Sequence, residues 1–239
     1  MINSIYFIIS ISFVFFSMLG YGLLFYKKTG KQDLFFNLLS GYFLIGTISL
    51  LIHFVNPINI YVSVFVLVIG LFILFTRLKY LGNFKILKKT TLFILISFIL
   101  IAFSDHPIDT NMYHHPYVSY LKSEKIIFGI AEVQFRFGHI SFLQYVQAIT
   151  TNEFLHVLSI ASPNLILYVF FLFFCLNTIS KKKERKILFL LTILISSFVL
   201  IKLSRYREFG NDILPFIICS YILIRIVEQI FYEDDNRLK

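Results

Sequence analysis

Charged residues and cysteines are scarce in this sequence, and their scarcity excludes several classes of protein. Asp, Glu, Lys and Arg make up 15% of the 239 residues, whereas 58% are hydrophobic and the mean hydropathy is +0.81. A water-soluble domain could not bury so much apolar side chain in one core. Cys175 and Cys219 both lie within apolar runs, so neither a disulfide framework nor a paired-cysteine metal site is indicated.

Common catalytic and targeting motifs are missing as well. The sequence contains no His-Glu-x-x-His zinc motif and no glycine-rich phosphate cradle, which disfavours a soluble nucleotide-sugar substrate. The first apolar run lacks the basic segment and the cleavage site of a signal peptide, so we expect it to be kept as a membrane span. Because no repeat or low-complexity linker divides the chain, we predict one transmembrane domain over residues 1–239.

Seven apolar runs recur along the chain, and a helix needs roughly 20 such residues to cross a bilayer. Backbone groups in lipid must be paired within the segment, and the alternating pattern of a barrel strand is absent, so these runs predict helices. The predicted spans are residues 4–26, 34–55, 58–76, 89–103, 157–179, 187–203 and 213–232. The predicted fold class is therefore all-α, a polytopic integral membrane helix bundle of about seven transmembrane helices.

The basic residues predict the orientation of this bundle. They follow the first, third and fifth predicted spans, as Lys27, Lys28 and Lys31, then Arg77, Lys79, Lys85, Lys88 and Lys89, then Lys181, Lys182, Lys183, Arg185 and Lys186. The positive-inside rule explains this clustering and the net charge of +9, whereas nucleic-acid binding would need a basic face. With an odd number of spans, the rule places the N-terminus outside and the C-terminus in the cytoplasm.

Three connectors then face the non-cytoplasmic side. Asn56-Pro57 predicts a tight turn, whereas residues 104–156 and 204–212 form two longer loops. Most helix connections in bundles take about 2 to 8 residues, so the loop of residues 104–156 is the first candidate for function.

We predict two amphipathic helices within this long outer loop, both lying near the membrane surface. The first covers about residues 109–122, with Asp109 as its N-cap. The second lies within residues 138–149, where apolar side chains recur every three residues and Gln144 and Gln147 fall off the apolar face.

Five of the six histidines lie in or beside the long outer loop, namely His106, His114, His115, His139 and His156. This collection suggests a metal site, but zinc needs three or four converging ligands, so solvated interfacial histidines are the plainer interpretation. Asp109 is the acid that we select first, as a general base or as a ligand of a divalent cation such as Mg²⁺ or Mn²⁺. As a helix N-cap it would need neither role.

Outward arginines form a second group of candidates. Arg136 lies between two phenylalanines, which suits the binding of a phosphate, although an anchor to lipid headgroups explains it as well. Arg205 and Arg207 run against the positive-inside trend, which favours an anionic partner such as the phosphate of a lipid carrier. Asp212, directly before the last span, is either a second acid of the same pocket or an N-cap.

The most specific pattern in the long outer loop is formed by residues 108–114 (IDTNMYH), 125–129 (KIIFG) and 136–141 (RFGHIS). Together they resemble the first outer loop of a group of bacterial multi-pass proteins assigned to the GT-C superfamily of glycosyltransferases. Asn211-Asp212, ahead of an apolar helix, is similar to the second loop of that group. The resemblance covers residues 105–152 and, more loosely, residues 204–215.

The resemblance implies a glycosyltransferase of the bacterial inner membrane. Such an enzyme moves a sugar from a polyprenyl-phosphate donor to an envelope glycan or lipid acceptor on the non-cytoplasmic face. By this resemblance Asp109 would activate the acceptor hydroxyl or hold the divalent cation, with Asp212 as the second catalytic acid. The arginines would stabilise negative charge on the departing phosphate, and a tyrosine and a histidine would shape the sugar pocket. These substrate-binding residues are Tyr113, His114, Arg136, Arg205 and Arg207.

Two other functions compete with this one. The leading alternative is a non-catalytic membrane component, such as a truncated relative, a partner of an additional membrane subunit, or a module of a polysaccharide polymerase or exporter. A transporter is the next, and transporters carry ionisable or broken segments at mid-membrane depth. In the predicted spans we single out only His53 and Pro163 as such positions.

Overall fold

The computed structural model describes residues 2–25, 33–78, 91–92, 96, 112, 114–133, 135–138, 141–151, 160–181, 185–202 and 213–232. Within these ranges all regular structure is helical. The helices are α1 (Ile2–Gly22), α2 (Leu34–His53), α3 (Ile60–Arg77), α4 (His115–Ser123), α5 (Ile130–Val133), α6 (Phe142–Thr150), α7 (Ser162–Lys181), α8 (Lys186–Ile201) and α9 (Ile213–Tyr232). Short 3-10 turns, Leu23–Phe25 and Phe135–Gly138, follow α1 and α5.

Five helices in the described part of the chain are long and apolar enough to cross a membrane, namely α1, α2, α3, α7 and α9. The prediction of a helical membrane bundle is therefore confirmed, whereas the predicted number of seven spans is not. One of the two remaining predicted spans is α8, which has 16 residues. The other, residues 89–103, lies outside the described residues except for Thr91, Leu92 and Ile96, which are helical.

The exposed faces of the long helices are apolar, as expected of a surface that contacts lipid. On α3 the exposed side chains recur at helical spacing, as Tyr61, Phe65, Val68, Phe72 and Phe75. The exposed face of α8 carries Ile187, Leu190, Leu194 and Ile201. A helix that faces water would present polar residues at these positions, so the pattern identifies a membrane protein.

Helices α1, α2 and α3 form a tightly packed group because glycines let their backbones approach closely. A Cβ atom added at Gly41 would lie 1.8 Å from the carbonyl oxygen of Met18 in α1. One added at Gly20 would lie 1.9 Å from the carbonyl oxygen of Gly70 in α3. Neither crossing leaves room for a side chain, so the glycines set the distances between these helices.

Polar side chains define where α2 and α3 begin. Asp33 accepts a hydrogen bond from the Phe36 amide at 2.7 Å, and Asn59 accepts one from the Val62 amide at 3.1 Å. These N-cap bonds satisfy backbone donors that the first helical turn leaves free. The segment between His53 and Ile60, which contains Asn56-Pro57, connects α2 to α3.

Residues 104–156, predicted to form the long outer loop, include helices near both predicted positions. Helix α4 ends at Ser123, close to the predicted end, and Pro116 lies in its first turn. Asp109, the predicted N-cap, lies outside the described residues. The residue before α4 is His114, which makes no side-chain cap bond.

Helix α6 differs from the expected amphipathic surface helix. Every residue from Gln144 to Thr150 is buried, because α2, α3, α4 and α7 all pack against this nine-residue helix. The expectation that Gln144 and Gln147 face away from the packed side is therefore wrong. Their polar groups lie inside the bundle.

We predict that Gly41→Ala destabilises the bundle by about 1 to 3 kcal/mol, since a methyl group forces α1 and α2 apart. Thermal unfolding in detergent micelles measures the effect. Leu51→Ala, at an exposed position of the same helix, serves as the control and should change the melting temperature little. Equal melting temperatures for the two variants would show that the crossing adapts freely.

Candidate functional site

The described residues include little of the site predicted from the sequence. Only His114 is described with its side chain. Arg136 lies in the 3-10 turn Phe135–Gly138, and its side chain is outside the described part. The other predicted residues also lie outside it, namely Asp109, Tyr113, Arg205, Arg207 and Asp212.

The His114 side chain is buried and faces α6. Its Nδ1 atom lies 3.3 Å from Nε2 of Gln144, so the amide donates and the imidazole accepts. This contact joins the start of α4 to α6. His114 ends the D-T-x-x-Y-H element, residues 109–114, and it is held by the bundle and does not project into solvent.

A second histidine, His53, ends α2 and is only 1% exposed. Its Nε2 atom lies 2.9 Å from the carbonyl oxygen of Glu124, and its Nδ1 atom lies 3.2 Å from the hydroxyl of Tyr145. A carbonyl oxygen only accepts, so Nε2 carries the proton and Nδ1 accepts from the tyrosine. The neutral ring thus connects α2, α4 and α6.

Two buried tyrosines continue this network. Tyr117 of α4 contacts the Tyr145 hydroxyl, which accepts from it while donating to His53. Burial raises the pKa of both Tyr117 and Tyr145 above the usual value. Both hydroxyls therefore stay protonated near neutral pH, where they act as hydrogen-bond donors and not as bases.

Helix α7 begins beside the middle of α2. The hydroxyl of Tyr42 donates to Oδ1 of Asn164 in the first turn of α7, at 3.0 Å. The hydroxyl of Ser49 donates to the carbonyl oxygen of Tyr145 at 3.0 Å. Tyr42 lies eight residues into α2, roughly 12 Å from its start, so the contact lies well inside the bundle. The side chains joined by these contacts form the polar layer, which consists of Tyr42, Ser49, His53, His114, Tyr117, Gln144, Tyr145 and Asn164.

An ion cluster lies at the other end of α2. The guanidinium of Arg225 in α9 hydrogen-bonds Asp33 and, at 2.9 Å, Glu228, and it stacks on the ring of Phe174 in α7. Glu228 is only 7% exposed, and its other oxygen lies 4.0 Å from Arg185. The two acidic and two basic side chains together carry no net charge, which lowers the free-energy cost of placing them inside a membrane protein.

Sequence reasoning missed most of these residues. Arg225 and Glu228 were visible as charged residues three positions apart in the last apolar run, a spacing that places them on one helix face. The pair of His53 and Tyr145 had no such signal, because 92 residues separate them. No three metal-ligating side chains converge within the described ranges, so the cation proposed at Asp109 stays a prediction.

A sequence model described as "Domain of unknown function (DUF8201)" matches residues 4–238. The chain belongs to the DUF8201 family. The matched range includes the residues of both the polar layer and the ion cluster. No curated protein and no solved structure matches the chain.

For this DUF8201 chain we predict that Tyr145→Phe costs roughly 1 to 3 kcal/mol of unfolding free energy, because it leaves buried partners on His53 and Tyr117 without a bond. The matched control is Tyr61→Phe, which removes a hydroxyl from an exposed ring. Denaturation in detergent followed by circular dichroism compares the two. A loss no larger than that of the control would mean that the hydroxyl network contributes nothing.

Arg225→Gln should destabilise the DUF8201 bundle by about 3 kcal/mol, because Asp33 then loses its cationic partner and Glu228 keeps only Arg185, at 4.0 Å. The double variant Arg225→Gln/Glu228→Gln keeps Asp33 and Arg185 in balance, so it should recover part of the loss. The same denaturation measurement gives the coupling between the two positions. Strictly additive losses would contradict the charge balance described above.

Proposed function

We propose that this chain is a membrane glycosyltransferase that moves a sugar from a polyprenyl-phosphate donor to an envelope glycan or lipid acceptor. The proposed location is the non-cytoplasmic face of a bacterial inner membrane, with the N-terminus outside. Asp109 is the proposed general base or ligand of Mg²⁺ or Mn²⁺, and Asp212 is the proposed second acid. The proposed substrate-binding residues are Tyr113, His114, Arg136, Arg205 and Arg207.

The observation that supports this proposal is the contact of His114 with α6, since His114 ends the D-T-x-x-Y-H element. His114, its last residue, is buried against Gln144 directly before α4. Helix α4 is itself joined to α2 and α6 through His53 and Tyr145. A catalytic group needs a support that holds it within about 0.5 Å of its working position, and packed helices supply such a support.

The chemistry requires a base and a set of cations. Asp109 takes the proton from an acceptor hydroxyl, whose oxygen attacks the anomeric carbon of the sugar. The bond between that carbon and the phosphate oxygen breaks, and the polyprenyl phosphate leaves with the bonding electrons. Arg136, Arg205 and Arg207 stabilise the charge that grows on this phosphate, as fixed cations do in a poorly hydrated site.

The apolar outer surface of the bundle suits a donor that carries a lipid tail. The exposed faces of α3 and α8 are apolar, so a donor embedded in the same leaflet reaches the bundle by diffusion in two dimensions. Its phosphate and sugar then lie at the headgroup level, where connectors between spans emerge.

A transporter is the second candidate, and two observations favour it. Arg225 and Glu228 are ionisable residues within a predicted span, and α7 begins beside the middle of α2. Charged residues and helices that begin at mid-membrane depth are common around transport pathways. The neutral balance of the ion cluster and the hydrogen bonds of the polar layer also fit a purely structural role.

The test is sugar transfer in membranes that contain the chain, supplied with labelled polyprenyl-phosphate sugars. Asp109→Asn should lower transfer by roughly 100-fold or more, since general base catalysis contributes at least that much. Asp105→Asn, an acid of the same loop without an assigned role, is the matched control and should retain transfer. Full transfer by Asp109→Asn would refute the catalytic assignment. Absence of transfer by the native chain, with uptake of the labelled substrate into sealed vesicles, would favour the transporter.

A further inference from the structure

The turn between α4 and α5 exposes two large apolar side chains. This turn, residues 125–129 (KIIFG), carries Ile127, which is 49% exposed, and Phe128, which is 89% exposed. Gly129 closes the turn with a φ angle of 81°, a conformation that favours glycine. The function proposed above assigns no role to these residues.

Hydrogen bonds hold the turn in place. The Ile127 amide donates to the hydroxyl of Tyr120 at 2.9 Å, and that hydroxyl donates to the carbonyl oxygen of Lys125 at 3.0 Å. The Ile126 amide donates to the carbonyl oxygen of His53 at 3.4 Å. The turn is thus fixed to α4 and to the last residue of α2, and the exposure of Phe128 is a property of an ordered structure.

The hydrogen bond between Ile126 and His53 also places the turn at the level of the end of α2. His53 ends α2, and the residues that follow it, Phe54 and Val55, are exposed apolar side chains as well. Tyr61, in the first turn of α3, is 82% exposed and begins the apolar face of that helix. The turn therefore lies at the level where the lipid-facing surface of α2 and α3 ends.

We propose that this turn inserts Ile127 and Phe128 into the leaflet that surrounds this end of the bundle, at the boundary between headgroups and acyl chains. Aromatic side chains concentrate at this depth in membrane proteins. Lys125, at the start of the turn and exposed, lies where an ammonium group meets lipid phosphates.

Lipid fits this surface better than a second protein does. A buried aromatic side chain covers about 150 to 250 Å². One phenylalanine and one isoleucine therefore fall short of the roughly 800 Å² that each partner buries in a stable protein complex. A lipid leaflet needs no such minimum, and the lipid-facing surface of α3 begins at the same level.

The chain has no tryptophan, so Phe128→Trp places a single tryptophan at the tip of the turn, and excitation at about 295 nm keeps the signal of the 14 tyrosines out. The variant is reconstituted in phosphatidylcholine and phosphatidylglycerol vesicles whose acyl chains carry bromine either near the headgroup or near the chain end. Two reference variants define the quenching expected for a side chain in lipid and for one in water. Phe65→Trp reports on lipid beside α3, and Glu132→Trp reports on water beside α5, where the carboxylate is exposed.

We expect bromine near the headgroup to quench Phe128→Trp about twofold more than bromine near the chain end, as for a side chain at the interface. Aqueous iodide should quench it several-fold less than it quenches Glu132→Trp. Ile127→Trp, on the same turn, should give the same order of quenching. Because both positions are exposed, the substitutions leave the packing of the bundle intact.

Two results would overturn the proposal. Iodide quenching equal to that of Glu132→Trp, without quenching by either lipid, would place the turn in water. Protection from iodide without quenching by either lipid would mean that protein, such as a second copy of the chain, covers the turn. Neither measurement depends on glycosyl transfer, so the proposed function is tested separately.

Discussion

A polar group inside a bundle that is surrounded by lipid has no water to bond, so it must find its partner on another helix or on its own backbone. This constraint determines how the middle of the molecule is arranged. The imidazole of His53 is satisfied only when α4 supplies a carbonyl oxygen and α6 supplies a hydroxyl. Tyr42 and Asn164 satisfy each other in the same way across α2 and α7. Removing any one of these helices would leave the others with buried groups that have lost their bonds.

The same constraint acts on charge at the opposite end of the bundle. Arg225 contacts side chains from the start of α2, from α7 and from its own helix. The carboxylates of Asp33 and Glu228 accept hydrogen bonds from the edge of the guanidinium, and its face lies over the ring of Phe174. Asp33 has two roles, because one oxygen caps α2 while the other receives Arg225 and the hydroxyl of Tyr221. One carboxylate therefore joins the start of α2 to the middle of α9.

Much of the fold could be predicted from the sequence, since apolar runs bounded by polar residues specify spans. Helices α2, α3 and α9 begin and end within about two residues of their predicted limits, which is ordinary uncertainty for helix ends. The predicted span of residues 157–179 overlaps α7, and its first three residues lie outside the part of the chain that the structure describes.

The candidate site was much less accessible to sequence reasoning. The spacing within its own helix predicts Gln144 off the apolar face, whereas its partner His114 comes from a segment 30 residues earlier. The sequence indicates His53 as an ionisable residue within a predicted span. It does not predict the tyrosine partner of His53, because that partner depends on the position of α6. Arg225 and Glu228 are visible in the sequence as a local pair, whereas the contact between Arg225 and Asp33, nearly 200 residues away, is not predicted by their spacing. Local spacing predicts local contacts, and this site is made of distant ones.

Helix α8 has a mechanical consequence for the membrane itself. Its apolar residues run from Ile187 to Ile201 between two lysines, Lys186 and Lys202, and they extend about 22 Å along the axis. A helix of this length crosses a hydrocarbon core of about 30 Å only where the lipids beside it thin or the lysine side chains reach outward to the surface. Thinning would bring the headgroups of the two leaflets closer together beside α8 than beside the longer apolar helices.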